Sequence, residues 1–290
     1  MSTNVAVLGK TTYINYETLA EPQIKTHYDG KNKTGWFLMK GAPRPSFTPQ
    51  LLKEISLYFD DVAKEMQETN NEKYDFLVLG SDVEGVFNLG GDLSLFGQYI
   101  RNGDRQGLTD YAIQSIDLVY RNMTHLKLEL TTISLVQGDA LGGGFESAIS
   151  ANVVIAERGV KMGLPETLFN LFPGMGAYSL LSRKIGVAAA EKMILSGNLY
   201  LSEELYDMGV VDVLAEKGEG ELAVYKYIKR ANHSPNTFSS MRQVKDICNQ
   251  ISYEEFEKIA LLWVDSALKL TIKDLKMMER LVRRQNLRVD

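Results

Sequence analysis

Cysteine is nearly missing from this chain of 290 residues, which holds a single one, Cys248. That count excludes an internal disulfide and any metal site built from thiolates. Histidine is almost as scarce. His27, His125 and His233 lie far apart, and no HExxH-type spacing occurs, which argues against metal catalysis. There is no excess of positive charge either: the formal net charge is −5. No broad field therefore draws the chain to nucleic acid or an anionic membrane. Arg280, Arg283 and Arg284 form a local basic cluster, read as a solvated helix face before a dock for an acidic partner. No apolar stretch approaches the ~18 residues that span a bilayer. MSTNVAVLGKTTYINYETL lacks a basic segment followed by an apolar run, so no signal peptide is read there and the default expectation is cytoplasmic. Nucleotide loops are missing too: GMGAYS, from Gly174, has no third glycine, and no GxxxxGK occurs. Without a GxSxG elbow, any hydrolysis must use water activated by a carboxylate.

What is present is ordinary in bulk, with 44% hydrophobic and 24% charged residues, and it alternates. Apolar β-branched runs are followed by helix-period segments, the pattern of an α/β chain. GWFLMK from Gly35 and YDFLVLGS from Tyr74 read as strands, and FTPQLLKEISLYFDDVAKEM between them as a helix. GVFNLGGDLSLFGQYI is a glycine turn feeding a helix with Asp92 in its first turn. A further helix is expected over about Gly107 to Met123, and TTISLVQGDA as one buried strand. FESAISA is a short helix, VVIAERG–VKMGL two short strands about a turn, and GVVDVLAE a last strand. PGMGAYSLLSRKIG and AAAEKMILSG read as helices, the second closed by Gly197 as a left-handed cap. Ser202 is expected to cap EELYDM. From about Glu219 four helical segments follow, near 219–232, 236–250, 252–269 and 272–287. Ile259, Leu262, Trp263 and Ala267 are expected to share one face of the third. The organisation expected is a core over 1–215 and a helical region over 216–290.

Chemistry concentrates in two turns. Gly142-Gly143-Gly144 stands between a strand and a helix. It reads either as a tight turn needing positive φ or as bare N–H groups at a helix start, where negative charge is favoured. LGGDL, from Leu89, repeats the strand–glycine–helix pattern. Two such turns can each aim one N–H at one carbonyl oxygen, and an oxyanion donor is typically worth ~3 kcal/mol of barrier. Glu146 lies in the first turn after the triple glycine, among Phe145, Ala148 and Ile149. A carboxylate in such company is costly unless partnered or functional. Glu166 follows Pro165 and precedes an apolar stretch, so it reads either as a helix-start acid or as a second acid of the same pocket. If both face one pocket they repel, and one holds a proton near neutrality. An acid and a base then share the site.

FNLGGDL, QGDALGGGFE, GLPETLFNLFPGMGAYSLLSRKIG and ILSGNLYLSEELYDMGVVDVL resemble, in strict order from about Tyr74 to Leu214, the crotonase (enoyl-CoA hydratase/isomerase) superfamily. VFNLGGDLSLF, FNLFPGMGAYS and the tail LWVDSALKL…MERLVRRQNLR resemble the bacterial diffusible-signal-factor synthases within it. The resemblance implies a spiral of ββα units with a helical C-terminal region that builds homotrimers, often paired into hexamers. It implies Gly91 and Gly143 as oxyanion-hole donors and Glu146 and Glu166 as the catalytic acid/base pair. It implies no separate cofactor, the acyl group riding on the phosphopantetheine of acyl carrier protein or coenzyme A. The reaction implied is dehydration of a 3-hydroxyacyl carrier-protein thioester to the cis-2-enoyl thioester, then hydrolysis to a free quorum-sensing acid. A receiver-like or sensor-associated protein is implied as a restraining partner. Met175, Trp263 and Leu281 are candidate linings of the apolar acyl pocket, with ordinary core packing the competing reading. GAPRPSFTPQLL stands where general hydratases carry an asparagine-containing helix start and coenzyme A contacts, a departure that weakens a coenzyme A assignment and leaves the choice of carrier open. The alternative is a general enoyl-CoA hydratase of fatty acid metabolism.

Overall fold

The computed structural model describes residues 21–286, with side chains as far as Leu281. The leader reading of the first residues and the side chains of Arg283 and Arg284 lie outside the described residues. Two sheets form the centre. The larger begins with an antiparallel pair, β1 (Ile24–Asp29) and β2 (Thr34–Met39). It continues in parallel through β3 (Phe76–Ser81), β5 (Thr131–Val136), β7 (Val153–Glu157) and β10 (Val213–Ala215). The smaller sheet has the order β4 (Val86–Asn88), β6 (Asp139–Leu141), β8 (Lys161–Gly163), β9 (Leu199–Leu201). Strands β3/β4, β5/β6 and β7/β8 therefore form successive units, each giving one strand to each sheet before a helix or turn follows. This is an α/β fold of the crotonase type, a spiral of ββα units.

One sequence expectation needs correction here, and two features go beyond the sequence reading. TTISLVQGDA is two strands, because a Cβ on Gly138 would lie 2.2 Å from the carbonyl carbon of Gly85 and from Val86 N. The chain is pressed against the neighbouring unit there and crosses from one sheet to the other. VVIAERG–VKMGL does form two strands about a turn, but they do not pair with each other. All five residues of β7 are buried between β5 and β10, while β8 joins the smaller sheet. Strand β1 escapes the pattern search because its middle four residues are all exposed, an edge with no alternating apolar face.

The helices cover the sheets. Thr48 caps α1 (Pro49–Glu68) by accepting from Leu51 N, with Pro at the first position. Leu51, Leu52, Ile55, Phe59, Val62 and Met66 bury its core face. Asp92 is not inside the first turn of α2 (Leu93–Asn102) but caps it, accepting from Leu95 N. Then come α3 (Arg105–Met123), α4 (Gly143–Ser150), α5 (Ala177–Ile185) and α6 (Val187–Ser196), the last stopped by Gly197 at φ 63°. For α7 (Ser202–Asp207) the cap position falls on Leu201, whose N–H is taken by the Glu204 carboxylate at 2.7 Å. The Ser202 hydroxyl is drawn instead to Glu157 O at 2.7 Å.

The four C-terminal helices do not form one layer. Helix α8 (Gly220–His233) closes a second apolar cluster with Trp36, Val78, Ile133 and Leu135. Helix α9 (Pro235–Cys248) buries none of its residues. It is tied down by Arg242, which donates to Leu130 O and pairs with Glu129, and by Asp246 against His125 at 3.0 Å. Helix α10 (Tyr253–Ala267) packs along α3, and α11 (Ile272–Asn286) against α2 and the Pro165–Phe169 turn. The buried face of α10 is Phe256, Ala260, Trp263, Val264 and Ala267. Leu262 is 60% exposed, so it does not share that face. Among the described residues no helix is long and apolar enough to cross a membrane.

Candidate active site

The two glycine turns are built to touch. Asn88 Oδ1 accepts from Gly90 N at 2.8 Å, which folds the chain sharply at φ 90°. A Cβ on Gly90 would stand 2.8 Å from Leu141 O and 3.1 Å from Gly143 N, and one on Gly144 only 2.1 Å from Asn88 O. Only bare backbone permits this approach. Gly91 N lies 3.6 Å from the Cβ position of Gly143, so the amides of the two turns are neighbours. Gly143 opens α4, where an N–H has no partner within the helix. Arg44 pairs with Asp92 at 3.3 Å and donates to Ser94 Oγ, fixing the 41–48 segment over the first turn.

Glu146 stands one helical turn beyond Gly143 and is 1% exposed. Its Oε1 accepts two amides, Met175 N at 2.8 Å and Ala177 N at 3.0 Å. Those amides come from the PGMG turn and the first residue of α5, and α10 clamps the turn. Cβ atoms on Gly174 and Gly176 would lie 2.4 Å from the Trp263 and Phe256 side chains respectively. Burial raises the Glu146 carboxyl above its ordinary value, and the two amides only partly offset it.

Glu166 sits on a 3₁₀ turn, Pro165–Phe169, closed by Asn170 in the left-handed region. Its Oε2 is buried without a hydrogen-bond partner. Its Oε1 rests where a Cβ of Gly142 would be, 2.5 Å away, and Gly142 itself has φ 53°. Burial first, and the Glu146 charge second, hold the Glu166 carboxyl well above the usual carboxylate range. The two acids are therefore coupled through space and titrate as a pair.

One cavity of about 270 Å³ is lined by Gly91, Gly143, Glu146, Glu166, Met175, Trp263 and Leu281 alike. The structure thus gathers these seven candidate site residues around the same space. It adds residues the sequence did not suggest. Tyr111 donates to Phe47 O at 2.6 Å, and its hydroxyl is 3.5 Å from the Cβ position of Gly91. Phe96 bridges Tyr111 and Trp263 edge-on, at 4.8 and 5.2 Å between ring centres. No local signal marks these residues, since each reads as a core residue of its own helix.

Two neighbouring backbone amides, two carboxyls held toward the protonated form and apolar walls make a site for proton transfer beside a carbonyl. The chain belongs to the enoyl-CoA hydratase/isomerase family, whose model matches residues 44–284. It is 30% identical over 207 residues to the mitochondrial methylglutaconyl-CoA hydratase of Rattus norvegicus, covering 71% of this chain and 62% of that protein. The chain thus spans about three-fifths of that relative's length. It is 36% identical over 112 residues to the 2,3-dehydroadipyl-CoA hydratase of Escherichia coli (strain K12), covering 38% of this chain and 44% of the other. An enoyl-CoA hydratase from Mycobacterium avium subsp. paratuberculosis K-10 superposes with a TM-score of 0.71 at 18% identity. That match covers 90% of this chain and 96% of the other, a likeness of fold.

Proposed function

We propose that this chain adds or removes water across the C2–C3 bond of a fatty acyl thioester, as an enoyl-CoA hydratase of fatty acid metabolism. The observation that carries the reading is the coupled Glu146–Glu166 pair set beside two adjacent glycine amides in one apolar cavity. In the dehydrating direction, Gly91 and Gly143 N–H donate to the thioester oxygen and stabilise the enolate as it forms. One glutamate takes the proton from C2, and the other protonates the departing 3-hydroxyl, which leaves as water. Hydration is the same path reversed. The names of the two curated relatives, both hydratases of CoA thioesters, support the class of reaction.

A second reading places the same chemistry in signal synthesis. The substrate is then a 3-hydroxyacyl group on acyl carrier protein, and a glutamate-held water cleaves the thioester after dehydration. The resemblance of the VFNLGGDLSLF, PGMGAYS and tail segments supports it. So does the Arg44–Asp92 pair, which fixes the 41–48 segment where the sequence departs from coenzyme A contacts. Assembly into three or six copies and a restraining partner protein belong to this reading. Incubation with 2-enoyl-CoA and, separately, with 3-hydroxydodecanoyl carrier protein distinguishes the two. Reversible hydration of the CoA ester alone supports the hydratase, and free cis-2-dodecenoic acid supports the synthase. Inertness toward both removes the proposal.

A further inference from the structure

The lining of the cavity divides between an outer arm at the surface and an inner arm within the fold. The outer arm passes Leu168 and Leu199, which are 55% and 42% exposed, and Leu281. The inner arm runs into the fold between α1, α3 and the larger sheet. Helix α3 lines it with Tyr111, Ser115, Leu118, Val119 and Asn122, a single stripe at helical spacing. Facing that stripe are Leu52, Ile55 and Phe59 of α1, with Phe37 of β2 and Leu79 of β3. Apart from Ser115 and Asn122 these inner walls carry no polar side chain beyond the Tyr111 hydroxyl, which is engaged with Phe47 O. Native interiors keep few voids larger than a water molecule, so an apolar space of this size inside the core is one held open for an occupant.

The stripe also measures that occupant. It begins at the amide turn, because the Tyr111 hydroxyl lies 3.5 Å from the Cβ position of Gly91. It ends at Asn122, whose Nδ2 donates to Ser150 Oγ at 2.8 Å and is thereby held across to α4. Between the two, at ~1.5 Å of rise per residue, the helix advances roughly 16 Å. An extended hydrocarbon advances about 1.25 Å per C–C bond, given ~1.5 Å bonds at near-tetrahedral angles. The arm thus takes about a dozen carbons before the tail meets an amide, against which a terminal methyl gains nothing.

We infer that the acyl tail lies in the inner arm, that Phe59, Val119 and Asn122 set its maximum length, and that the outer arm admits the thioester's carrier. This deepens the proposed function and rests on its acyl-thioester reading. It also gives Met175 and Trp263 a different part from lining the tail: the turn that presents Met175 N to Glu146 is seated on Trp263.

The test is the chain-length profile of kcat/KM for 2-enoyl thioesters of four to sixteen carbons. Val119→Phe, which fills the arm, lowers the twelve-carbon to four-carbon ratio at least tenfold. Phe59→Leu, which hollows it, moves the optimum to longer chains, and so reports in the opposite sense if the filled variant fails to fold. Leu281→Phe, on the outer arm, lowers all lengths alike. A profile unmoved by the first two variants, or moved by Leu281→Phe in their place, overturns the assignment. If the wild type turns over no thioester of any length, the reaction reading fails by itself. The thermal upshift given by free fatty acids of eight to sixteen carbons then decides the inference. A maximum near twelve that moves with Val119→Phe and Phe59→Leu sustains it, and a flat series overturns it.

Discussion

Glu54 and Glu157 are buried as deeply as Glu146 and Glu166, at 0% and 4% exposure against 1% and 9%, yet the two pairs are treated in opposite ways. Glu54 accepts from Gln23 N, Ile24 N and the Gln50 amide, and so fastens the start of β1 to α1. Glu157 accepts from the Gln137 amide, Gly218 N and Gly220 N, and so seats α8 on the end of β7. Each has donors on both oxygens. Glu146 has two donors on one oxygen, and Glu166 Oε2 has none. A buried carboxylate that serves the fold is surrounded by N–H groups, because leaving it bare costs stability. One left half-bare beside a second acid keeps its proton within reach of a substrate.

The contrast can be broken most sharply by activity. Glu146→Gln and Glu166→Gln should each lower the turnover of a 2-enoyl thioester by about 10²–10⁴, with an unchanged circular dichroism spectrum. Full activity in either variant would move that residue into the company of Glu54. Stability reads the other side. Glu157→Ala strands three donors, two of them backbone, and is expected to cost about 3 kcal/mol in urea unfolding. A loss no greater than that of Glu166→Ala would erase the distinction. The smallest effect is in pH. The Glu166 carboxyl is raised above its ordinary 4.5, so the unfolded chain releases this proton first. The contribution is fully present below pH 4.5 and is lost as pH climbs through the raised value. Glu166→Gln does not titrate at that position, so its stability relative to wild type should rise over that window. Melting curves from pH 4 to 9 measure it, and a constant difference would mean that the carboxyl is not held protonated.

How far the sequence foretold this depends on how local each cause is. The glycine turns were visible because a triple glycine and LGGD break strand and helix patterns in a few residues. Glu146 stood out because an acid among Phe145, Ala148 and Ile149 violates the apolar rule. Gly197 could be placed as a stop for the same local reason. The division of strands between two sheets could not, since Gly138 splits its strand through contact with Gly85 and Val86, some fifty positions earlier. Leu262 was misplaced because a spacing of three to four selects two adjacent stripes on a helix, and only packing against α3 and the PGMG turn chooses between them. Tyr111 and Phe59 carry no mark at all: their place beside the cavity follows from how α1 and α3 lie across the sheet.

The staggered strand units have one more implication, for how this scaffold changes. The first unit brings Gly91, the second Gly143 and Glu146, and the third Glu166, so each coil of the chain delivers its own instrument to a shared bench. Backbone pairing holds the coils together whatever stands at their tips. One tip can therefore be exchanged while the others stay aimed, and a new reaction asks for a different loop rather than a different architecture.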